Sequence, residues 1–464
     1  MSHKFGRRIA LRCTLVAAPL AVGLTACGGG GNPLAATPHT AAAKVAYGSA
    51  AGGKADPSKP LQVTVERDGS RITDVTATDA AGRYVRGELS ADGMTWHSTS
   101  PLAAGTHYTV RVSTEDSDGH PGRKVLGFDT TPADAGLHVT FGPDAGTYGV
   151  GQPVTAALST PVKDPKARAI VEGNLRVSST PQAAQGSWYW VDDRTLHYRP
   201  STYWPNNAKI DVTSTLNGVK VQDKLYGGPD KKLTLHTGDR VEALTDAATD
   251  QMTFKRDGKV VKTIPVTTGK PGFSTRNGIK VVLGKESFVQ MKSESIGIAA
   301  GSSDSYDLPV YWATRVTWSG EYVHAAPWSE GSQGSANVSH GCTGMSTENA
   351  HWFFDNVRQG DIVQVVNSLG DTMTPFDNGF GDWNLTWAQW KQGSALGTQG
   401  KAAAAKNSAP DTKTAAKTGT TSGTKPDTKT GATSGTGSSG TDGTAGPEPA
   451  AAPADPSRLR PQTV

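Results

Sequence analysis

The chain has 464 residues, of which 36% are hydrophobic and 19% charged, and its formal net charge is +4. Residues 1–26 hold four basic residues and no acidic one, so the rest of the chain is formally neutral. This balance gives no basic surface and argues against a nucleic-acid partner.

Residues 1–26 are predicted to be a lipoprotein signal peptide. A basic start precedes an apolar run over residues 13–24, which is too short to remain as a membrane-spanning helix. The run ends in L-T-A-C-G, which resembles the lipobox of bacterial lipoproteins, in which the cysteine, here Cys27, receives lipid. We therefore expect an extracytoplasmic protein, anchored by this lipid to the outer face of the cell membrane and reaching into the cell wall. The alternative is an uncleaved anchor helix, which would also place the rest of the chain outside the cytoplasm.

The middle of the chain begins with a tether and two β-rich domains. Residues 27–57 are rich in Gly, Ala, Pro, Ser and Thr, and we expect a flexible tether. Residues 58–134 and 135–238 consist of short runs of alternating apolar and polar residues, separated by turn pairs such as Asp-Gly. This pattern is typical of immunoglobulin-like β-sandwiches, and two are predicted.

Residues 239–367 are predicted to form a third, β-rich domain. A hairpin is expected over residues 251–270, with its turn at Asp257-Gly258. The stretch R-V-T-W-S-G-E-Y-V-H-A-A (315–326) is predicted to be a further strand. Just after Cys342, the spacing of apolar residues changes from a strand period to a helix period.

One helix is predicted in the body of the chain, after Cys342. Its apolar face combines Ala350, Phe353, Phe354 and Val357, which are spaced at helical intervals. Ser346 is the predicted N-cap, and Gly360 the predicted stop.

The C-terminal region divides into a cap and a tail. Residues 368–395 hold three tryptophans at helical spacing, namely Trp383, Trp387 and Trp390, which predict a short helix packed on a neighbouring domain. A sugar-binding platform is the alternative. Residues 396–464 lack aromatic side chains and are predicted to be a disordered tail.

The motif S-H-G-C-T-G-M-S (339–346) carries the strongest signal for chemistry. Cys13 leaves with the signal peptide and Cys27 carries lipid, so Cys342 is the one thiol expected in the folded part. A thiol needs a base or a positive field to act as a nucleophile at neutral pH, and His324 and His340 are the two candidate bases. Flanking glycines allow a sharp turn whose N–H groups face an oxyanion, and the helix N-terminus downstream would favour the thiolate.

Two other interpretations of the cysteine stay open at this point. A lone cysteine is often a small buried hydrophobe, and a lone histidine is often a structural residue. A metal site is poorly supported, because the folded part has no second thiol and no histidine spaced with a carboxylate as in a zinc motif.

The spacing of His324 from S-H-G-C resembles the signature of the L,D-transpeptidase family. The similarity extends to Y-V-H-A-A-P-W (322–328), N-A-H-W-F-F-D-N-V (349–357), G-D-I-V-Q-V-V-N (360–367) and G-D-W-N-L-T-W-A-Q-W (381–390). The resemblance is to multi-domain actinobacterial lipoproteins and covers about residues 27–395. It implies a mainly β chain: two immunoglobulin-like sandwiches, a β-rich catalytic domain with one main helix, and a tryptophan-containing cap.

The resemblance also implies roles for individual residues. Cys342 would be the nucleophile, His324 the base, and the main-chain carbonyl of Ala325 the partner that orients this base. The N–H groups of Gly341 and Cys342 would bind the oxyanion. The remaining implied positions form a lid and a donor pocket: Tyr306 in the lid, and Met291, Trp328, Ser339 and His340 in the pocket. Relatives usually carry Arg or Asn in place of Gly344, so this glycine departs from the family pattern at a position implied to bind the donor.

The implied reaction is acyl transfer between peptidoglycan stem peptides, the expected donor and acceptor. Cys342 would attack the third residue of a tetrapeptide, D-alanine would leave, and a second stem would resolve the thioester as a 3→3 cross-link. No metal or cofactor is expected, and carbapenems are expected to acylate Cys342. An L,D-carboxypeptidase, an enzyme that anchors proteins to the wall, and a non-catalytic wall-binding lipoprotein remain alternatives.

Overall fold

A computed structural model describes residues 39–40, 43–46, 54–65 and 69–397 of the chain. Among these residues β-strands predominate over helices, which confirms the prediction of a mainly β chain. No helix within the described ranges is both long enough and apolar enough to cross a membrane. Cys27, the signal peptide and nearly all of the predicted tail lie outside the described residues.

The chain divides into two compact units. Residues 61–99 and 109–127 belong to the first, and residues 128–397 belong to the second. The second unit therefore combines the region of the second predicted sandwich with the third predicted domain and the cap.

The N-terminal part of the described chain forms two four-stranded sheets with the strand orders β1-β8-β7-β4 and β2-β3-β6-β5. The strands are β1 (His39–Thr40), β2 (Ala43–Ala46), β3 (Gln62–Val65), β4 (Arg71–Asp79), β5 (Gly87–Leu89), β6 (Thr95–Ser98), β7 (His107–Glu115) and β8 (Pro121–Asp129). In β7 alternate residues such as Val110 and Val112 are buried, as the period-2 pattern predicts. β1 and β2 lie inside the segment predicted as a tether, so here the structure differs from that prediction.

The region of the second sandwich forms two four-stranded sheets and a small third sheet, with the orders β10-β12-β15-β14, β11-β19-β16-β13 and β17-β18-β9. The strands are β9 (Gly136–Leu137), β10 (Val139–Gly142), β11 (Thr147–Tyr148), β12 (Val154–Leu158), β13 (Leu175–Thr180), β14 (Gly186–Trp190), β15 (Thr195–Pro200), β16 (Lys209–Ser214), β17 (Lys220–Gln222), β18 (Leu225–Gly227) and β19 (Lys232–Thr237). Their inner faces enclose a core that includes Trp188, Leu196 and Trp204.

This region also contains a helix that the sequence pattern did not predict, α1 (Pro165–Gly173). The side chain of Asp164 caps its N-terminus by accepting a hydrogen bond from the Ala167 N–H at 2.8 Å, and Pro165 occupies the first turn, where a missing N–H costs nothing. The prediction of one helix in the body of the chain is therefore wrong.

The third predicted domain contains a five-stranded sheet, β22-β21-β20-β28-β23, and a four-stranded sheet, β24-β25-β26-β27. The strands are β20 (Val241–Asp246), β21 (Gln251–Arg256), β22 (Lys259–Pro265), β23 (Gly278–Val281), β24 (Gly284–Lys292), β25 (Asp307–Arg315), β26 (Tyr322–Ala325), β27 (Thr343–Met345) and β28 (Ile362–Val366). The predicted hairpin joins β21 to β22, and Asp257 and Gly258 both have positive φ angles, as a tight turn requires. The predicted strand 315–326 is wrong in extent, because a turn separates the end of β25 from β26.

Helix α2 (Thr347–Asn356) packs across this region. Its cap is Ser346, as predicted, and the Ser346 Oγ accepts a hydrogen bond from the Asn349 N–H at 3.2 Å. Ala350, Phe353 and Val357 are buried in the core, whereas Phe354 is partly exposed. The helix ends at Asn356, before the predicted stop at Gly360.

The cap consists of two short helices where one was predicted. A 3-10 helix (Asp382–Asn384) carries Trp383, and α3 (Trp387–Gln392) carries Trp390. The predicted packing of the tryptophans is confirmed, because Trp390 is fully buried and its indole N–H donates to the Ser187 carbonyl of β14 at 2.9 Å. Two further 3-10 helices, Ser293–Ile296 and Pro327–Ser332, lie in the loops that follow β24 and β26.

Candidate active site

Two neighbouring strands bring Cys342 close to His324. β26 and β27 pair in parallel, with His324 opposite Gly344 and Val323 opposite Thr343. Cys342 immediately precedes β27, so it lies beside the start of β26. Gly344 is bonded on its other side to Thr267 through two main-chain hydrogen bonds of 2.9 Å.

The turn before Cys342 is held by hydroxyl groups. Gly341 has a φ of +119°, a conformation that favours glycine. Its carbonyl accepts a hydrogen bond from the Thr275 Oγ1 at 2.8 Å, and the Ser339 Oγ donates to the Cys342 carbonyl at 2.7 Å. The Gly341 N–H donates to the Ser339 Oγ at 3.2 Å. The amide predicted to bind an oxyanion therefore has an internal partner in this state.

His324 has a defined orientation. Its Nδ1 lies 2.7 Å from the main-chain oxygen of Ala325. Because a carbonyl oxygen only accepts hydrogen bonds, Nδ1 carries the proton, and Nε2 has the free lone pair of a base. Burial lowers the pKa of His324, and the bond to Ala325 opposes this effect. The imidazole is therefore neutral near neutral pH.

The thiol of Cys342 lies in an apolar environment. It packs against a cluster that includes Val310 and Tyr322, and its Sγ is 3.6 Å from the carbonyl oxygen of Gly320. Burial raises the pKa of Cys342 to about 12, a rise that the main-chain N–H of Tyr322 and the charge of Lys280 oppose. The resting group is thus a protonated thiol.

A cavity of about 240 Å³ opens at the thiol. It is lined by eight residues that the sequence singled out: Met291, Tyr306, His324, Trp328, Ser339, His340, Cys342 and Gly344. Further walls that the sequence did not identify are formed by residues such as Thr267, Leu308, Val310 and Val338. None of the residues that line it is an aspartate, glutamate, lysine or arginine.

His340, the second candidate base, is held by the loop between β24 and β25. Its ring lies 5.1 Å from that of Tyr306 and 4.8 Å from that of Phe273. Its Nε2 is 3.5 Å from a carboxylate oxygen of Asp304, which also pairs with the Lys270 Nζ at 2.5 Å. Burial is the main cause that lowers the pKa of His340. His340 is thus part of the wall that joins the loop to the cysteine motif.

Gly344 fits a space that excludes a side chain. A Cβ atom at this position would lie 2.9 Å from the Cβ of Ala326 and 3.1 Å from the Cγ2 of Thr267. At the position where relatives are expected to carry Arg or Asn, this chain therefore has a glycine that is closely packed between Ala326 and Thr267.

Sequence reasoning missed a charged group behind the thiol. Lys280 is 1% exposed in its side chain, and its Nζ lies 2.7 Å from a carboxylate oxygen of Glu321. Arg276 pairs with the other oxygen of Glu321 at 3.0 Å. The one available signal was a lysine inside the apolar run G-I-K-V-V (278–282), which indicates a buried cation with a partner.

The prediction that a helix N-terminus lies next to the thiol is wrong. β27 and the cap residue Ser346 separate Cys342 from the first turn of α2. The groups that act on the thiol are the Tyr322 N–H, Glu321 and Lys280.

Comparison with known proteins identifies related domains. Residues 240–365 match the family of L,D-transpeptidase catalytic domains, and residues 53–220 match a bacterial Ig domain. L,D-transpeptidase 2 of Mycobacterium tuberculosis is 35% identical over 336 residues, which are 72% of this chain and 81% of that protein. L,D-transpeptidase 1 of the same organism is 40% identical over 218 residues, which are 47% of this chain and 80% of that protein.

A solved structure described as an LD transpeptidase in complex with imipenem is also similar. It is 37% identical, covers 50% of this chain and 99% of its own chain, and superposes with a TM-score of 0.43.

Proposed function

This chain belongs to the L,D-transpeptidase family, and from that premise we propose that it forms 3→3 cross-links in peptidoglycan through a cysteine acyl-enzyme. The observation that carries the proposal is the shared cavity. A thiol and a histidine with a free Nε2 face the same space, whose other walls are largely apolar.

Acylation begins with the Cys342 thiol and the His324 imidazole both uncharged. The sulfur attacks the carbonyl carbon of the third residue of a tetrapeptide stem while its proton passes to the Nε2 of His324. Concerted transfer is favoured because burial makes a free thiolate costly. The carbon–nitrogen bond to D-alanine then breaks, and His324 returns the proton to the departing amine.

The oxyanion formed in this step needs donors at the turn. The Cys342 N–H and the Gly341 N–H are the proposed pair. Because Gly341 donates to the Ser339 Oγ in the resting state at 3.2 Å, we infer that this long bond is exchanged for the oxyanion. Ser339 keeps its bond to the Cys342 carbonyl, and the turn stays in place.

The thioester is then resolved by a second stem peptide, the acceptor. The side-chain amine of a second stem attacks the thioester carbon, an amide bond forms, the carbon–sulfur bond breaks, and the proton released by the amine returns the sulfur to a thiol. Carbapenems would enter the same sequence, since attack on the lactam carbonyl opens the ring. The ring nitrogen takes the proton and stays attached, so the thioester adduct retains the full mass of the inhibitor.

The lipobox-like sequence that ends at Cys27 supports a reaction outside the cell. Lipid on Cys27 would hold the chain at the outer face of the membrane, and the Ig-like domains would extend it toward the wall. This part of the proposal rests on the sequence of residues 1–28.

Product analysis tests the proposal. Purified full-length protein is incubated with a disaccharide-tetrapeptide, and the products are weighed by mass spectrometry, with Cys342→Ala as the control. A dimer lacking one D-alanine, absent with the variant, supports the proposal. A tripeptide as the one product means that water is the acceptor. Unchanged substrate, together with wall binding by both proteins, contradicts the proposal and favours a wall-binding lipoprotein.

A further inference from the structure

A buried hydroxyl group holds the peptide unit between Gly341 and Cys342. Thr275 lies in the loop that joins β22 to β23, and it is 2% exposed. Its Oγ1 accepts a hydrogen bond from the Gly269 N–H at 2.9 Å and lies 2.8 Å from the carbonyl oxygen of Gly341. Because a carbonyl oxygen only accepts hydrogen bonds, the one proton of this hydroxyl is donated to Gly341. The side chain of Thr275 therefore has both a defined donor and a defined acceptor.

The loop that carries Thr275 is bonded to the cysteine motif and to the chain after β28. The Ser339 N–H donates to the Thr268 carbonyl at 3.0 Å, and the Ser339 carbonyl accepts the Lys270 N–H at 2.9 Å. From the other side, the Ser368 Oγ donates to the Thr275 carbonyl at 2.6 Å. These bonds fix the position of the Thr275 hydroxyl relative to the cysteine motif.

The bond to Gly341 also sets the direction of the next main-chain N–H. A peptide unit is planar and trans, so its C=O and N–H groups point in opposite directions. The Cys342 N–H therefore points away from Thr275, a residue that does not line the cavity, whereas Cys342 does. No described group accepts a hydrogen bond from this N–H. A main-chain donor rarely stays unpaired unless it meets solvent or a ligand.

The glycine at position 341 makes this peptide unit easy to rotate. Gly341 has a φ of +119°, and a residue without a Cβ meets few steric barriers on either side of its Cα. Without the bond from Thr275, rotation about the ψ angle of Gly341 would redirect the Cys342 N–H. The following peptide unit is held separately, because the Ser339 Oγ donates to the Cys342 carbonyl at 2.7 Å.

We propose that Thr275 is a positioning residue for the reaction: its hydroxyl holds the Gly341–Cys342 peptide unit so that the Cys342 N–H faces the oxyanion. As the sulfur bonds to the carbonyl carbon, the electron pair of the C=O double bond moves to the oxygen, and the N–H stabilises this charge without giving up its proton. Thr275 acts through Gly341 and contacts no reacting atom. The inference rests on the proposed function and identifies the side chain that orients one of its two oxyanion donors.

Two reactions of the same sulfur test this role. Acylation by imipenem forms an oxyanion, whereas iodoacetamide alkylates the sulfur at a saturated carbon, with loss of iodide, and forms none. In full-length Thr275→Val the saturating rate of acylation should fall about tenfold to a hundredfold, because the N–H is still present but is no longer held. The imipenem concentration at half saturation and the rate of alkylation should both stay within about twofold of the parent values.

Three further variants separate orientation of the N–H from loss of stability. Thr275→Ser keeps the hydroxyl and should acylate at nearly the parent rate. Thr237→Val is the matched control, because the buried Thr237 Oγ1 in β19 likewise accepts an N–H, from Ala208 at 2.8 Å, and donates to a carbonyl, that of Pro205 at 2.6 Å. It should lower the unfolding temperature as Thr275→Val does, but leave acylation unchanged. Thr275→Ala decides the matter if Thr275→Val does not fold, and it should slow acylation by a smaller factor because the vacated space admits a water.

Each outcome supports or overturns the inference. Parent-like acylation in folded Thr275→Val, or in Thr275→Ala where the valine variant does not fold, overturns it. It is also overturned if alkylation falls as much as acylation, if Thr275→Ser is as slow as Thr275→Val, or if imipenem does not acylate the parent. If acylation responds as expected but the parent does not cross-link stem peptides, the inference stands and the proposed function fails.

Discussion

At the scale of single residues, burial determines how the nucleophile works. It raises the pKa of Cys342 to about 12 and lowers that of His324. Both shifts favour the neutral forms, so the pair exists as thiol and imidazole rather than as thiolate and imidazolium. The activation of the sulfur therefore depends on the arrival of an acyl group that accepts the charge as the proton moves.

Gly344 supplies a prediction at the same scale. In Gly344→Asn the new Cβ would lie 2.9 Å from the Cβ of Ala326, and neither group can rotate away. We expect the substitution to destabilise the catalytic domain by about 1–3 kcal/mol and to lower cross-linking. It should not restore an expected donor contact. Thermal unfolding and product formation measure both effects.

Gly331→Asn is the matched control for this substitution. Gly331 lies in the 3-10 helix that follows β26, and a Cβ there would meet nothing within 4 Å. It should unfold as the parent does. A Gly344→Asn protein with parent-like unfolding and higher turnover would show that packing does not explain the glycine.

Residue identity explains which parts of the site could be predicted. Cys342 and His324 were found because the spacing of His324 from S-H-G-C resembles the L,D-transpeptidase signature. Lys280 and Glu321 lie 41 positions apart in the sequence, and only the sheet brings them together. Their pairing depends on tertiary structure, which no local pattern encodes.

At the scale of elements, a helix was predicted correctly where its local sequence signals, the cap residue and the apolar face, agree. α2 was predicted because its cap residue and apolar face agree. α1 was missed although Asp164 and Pro165 mark its start, because it is nine residues long and interrupts a long run of strands. The prediction of a single cap helix was wrong because the helical spacing of the tryptophans does not reveal the extended Leu385 between two short helices.

The loop between β24 and β25, residues 293–306, is held by an ion pair whose contribution can be tested. Asp304 pairs with the Lys270 Nζ at 2.5 Å and lies 3.5 Å from the His340 Nε2. Asp304→Asn removes this charge and should loosen the loop, which carries Tyr306 over the cavity. The pair is partly exposed, so we expect acylation by a carbapenem to slow by no more than about fivefold. Stopped-flow acylation and hydrogen exchange of residues 293–306 measure it.

Asp307→Asn is the control for the ion pair of Asp304 with Lys270. Asp307 begins β25 beside the same loop and pairs with Lys292 at 3.4 Å, where both side chains are more than half exposed. This variant should acylate as the parent does. Equal rates for parent and Asp304→Asn, with unchanged exchange in the loop, would show that the ion pair does not hold the lid.

At the scale of the whole molecule, the cap joins the second sandwich to the catalytic region. Arg199 of β15 is buried, with its guanidinium carbon 4.7 Å from the Trp383 ring and 4.4 Å from the Trp390 ring. His197 of the same strand lies 2.8 Å from Asp382. The predicted role of the tryptophans as packing residues is confirmed, whereas the Arg199 cation beside their rings lies far from them in the sequence.

A second contact between these regions contains a carboxyl group that titrates near neutrality. Asp361 is fully buried, and a Cβ on Gly149 would lie 2.3 Å from its Oδ1. The Gly149 N–H donates to the Gln359 carbonyl at 2.8 Å, so the backbones of the two regions are bonded here. Burial raises the pKa of Asp361 to about 7, against the opposing bond from the Arg358 N–H.

The last prediction follows from the sign of this shift. Below about pH 4 the group is protonated in both folded and unfolded chains, and it adds no pH dependence. As the pH rises toward 7, the unfolded chain ionises and the folded chain does not, so the free energy of unfolding falls. Asp361→Asn keeps an acceptor for the Arg358 N–H but cannot ionise. It should therefore raise the unfolding temperature relative to the parent more at about pH 7.5 than at about pH 4.5.

Calorimetric scans of both proteins at the two pH values measure this difference, and subtraction cancels the contributions of other titrating groups. Asp355→Asn, an exposed aspartate on α2, should show no such pH-dependent gain. If Asp361→Asn changes the unfolding temperature equally at both pH values, the buried carboxyl group is not what couples this junction to pH. A larger gain near neutrality would mean that the junction is weakest where the carboxylate forms, and that its stability falls as the pH rises toward neutrality.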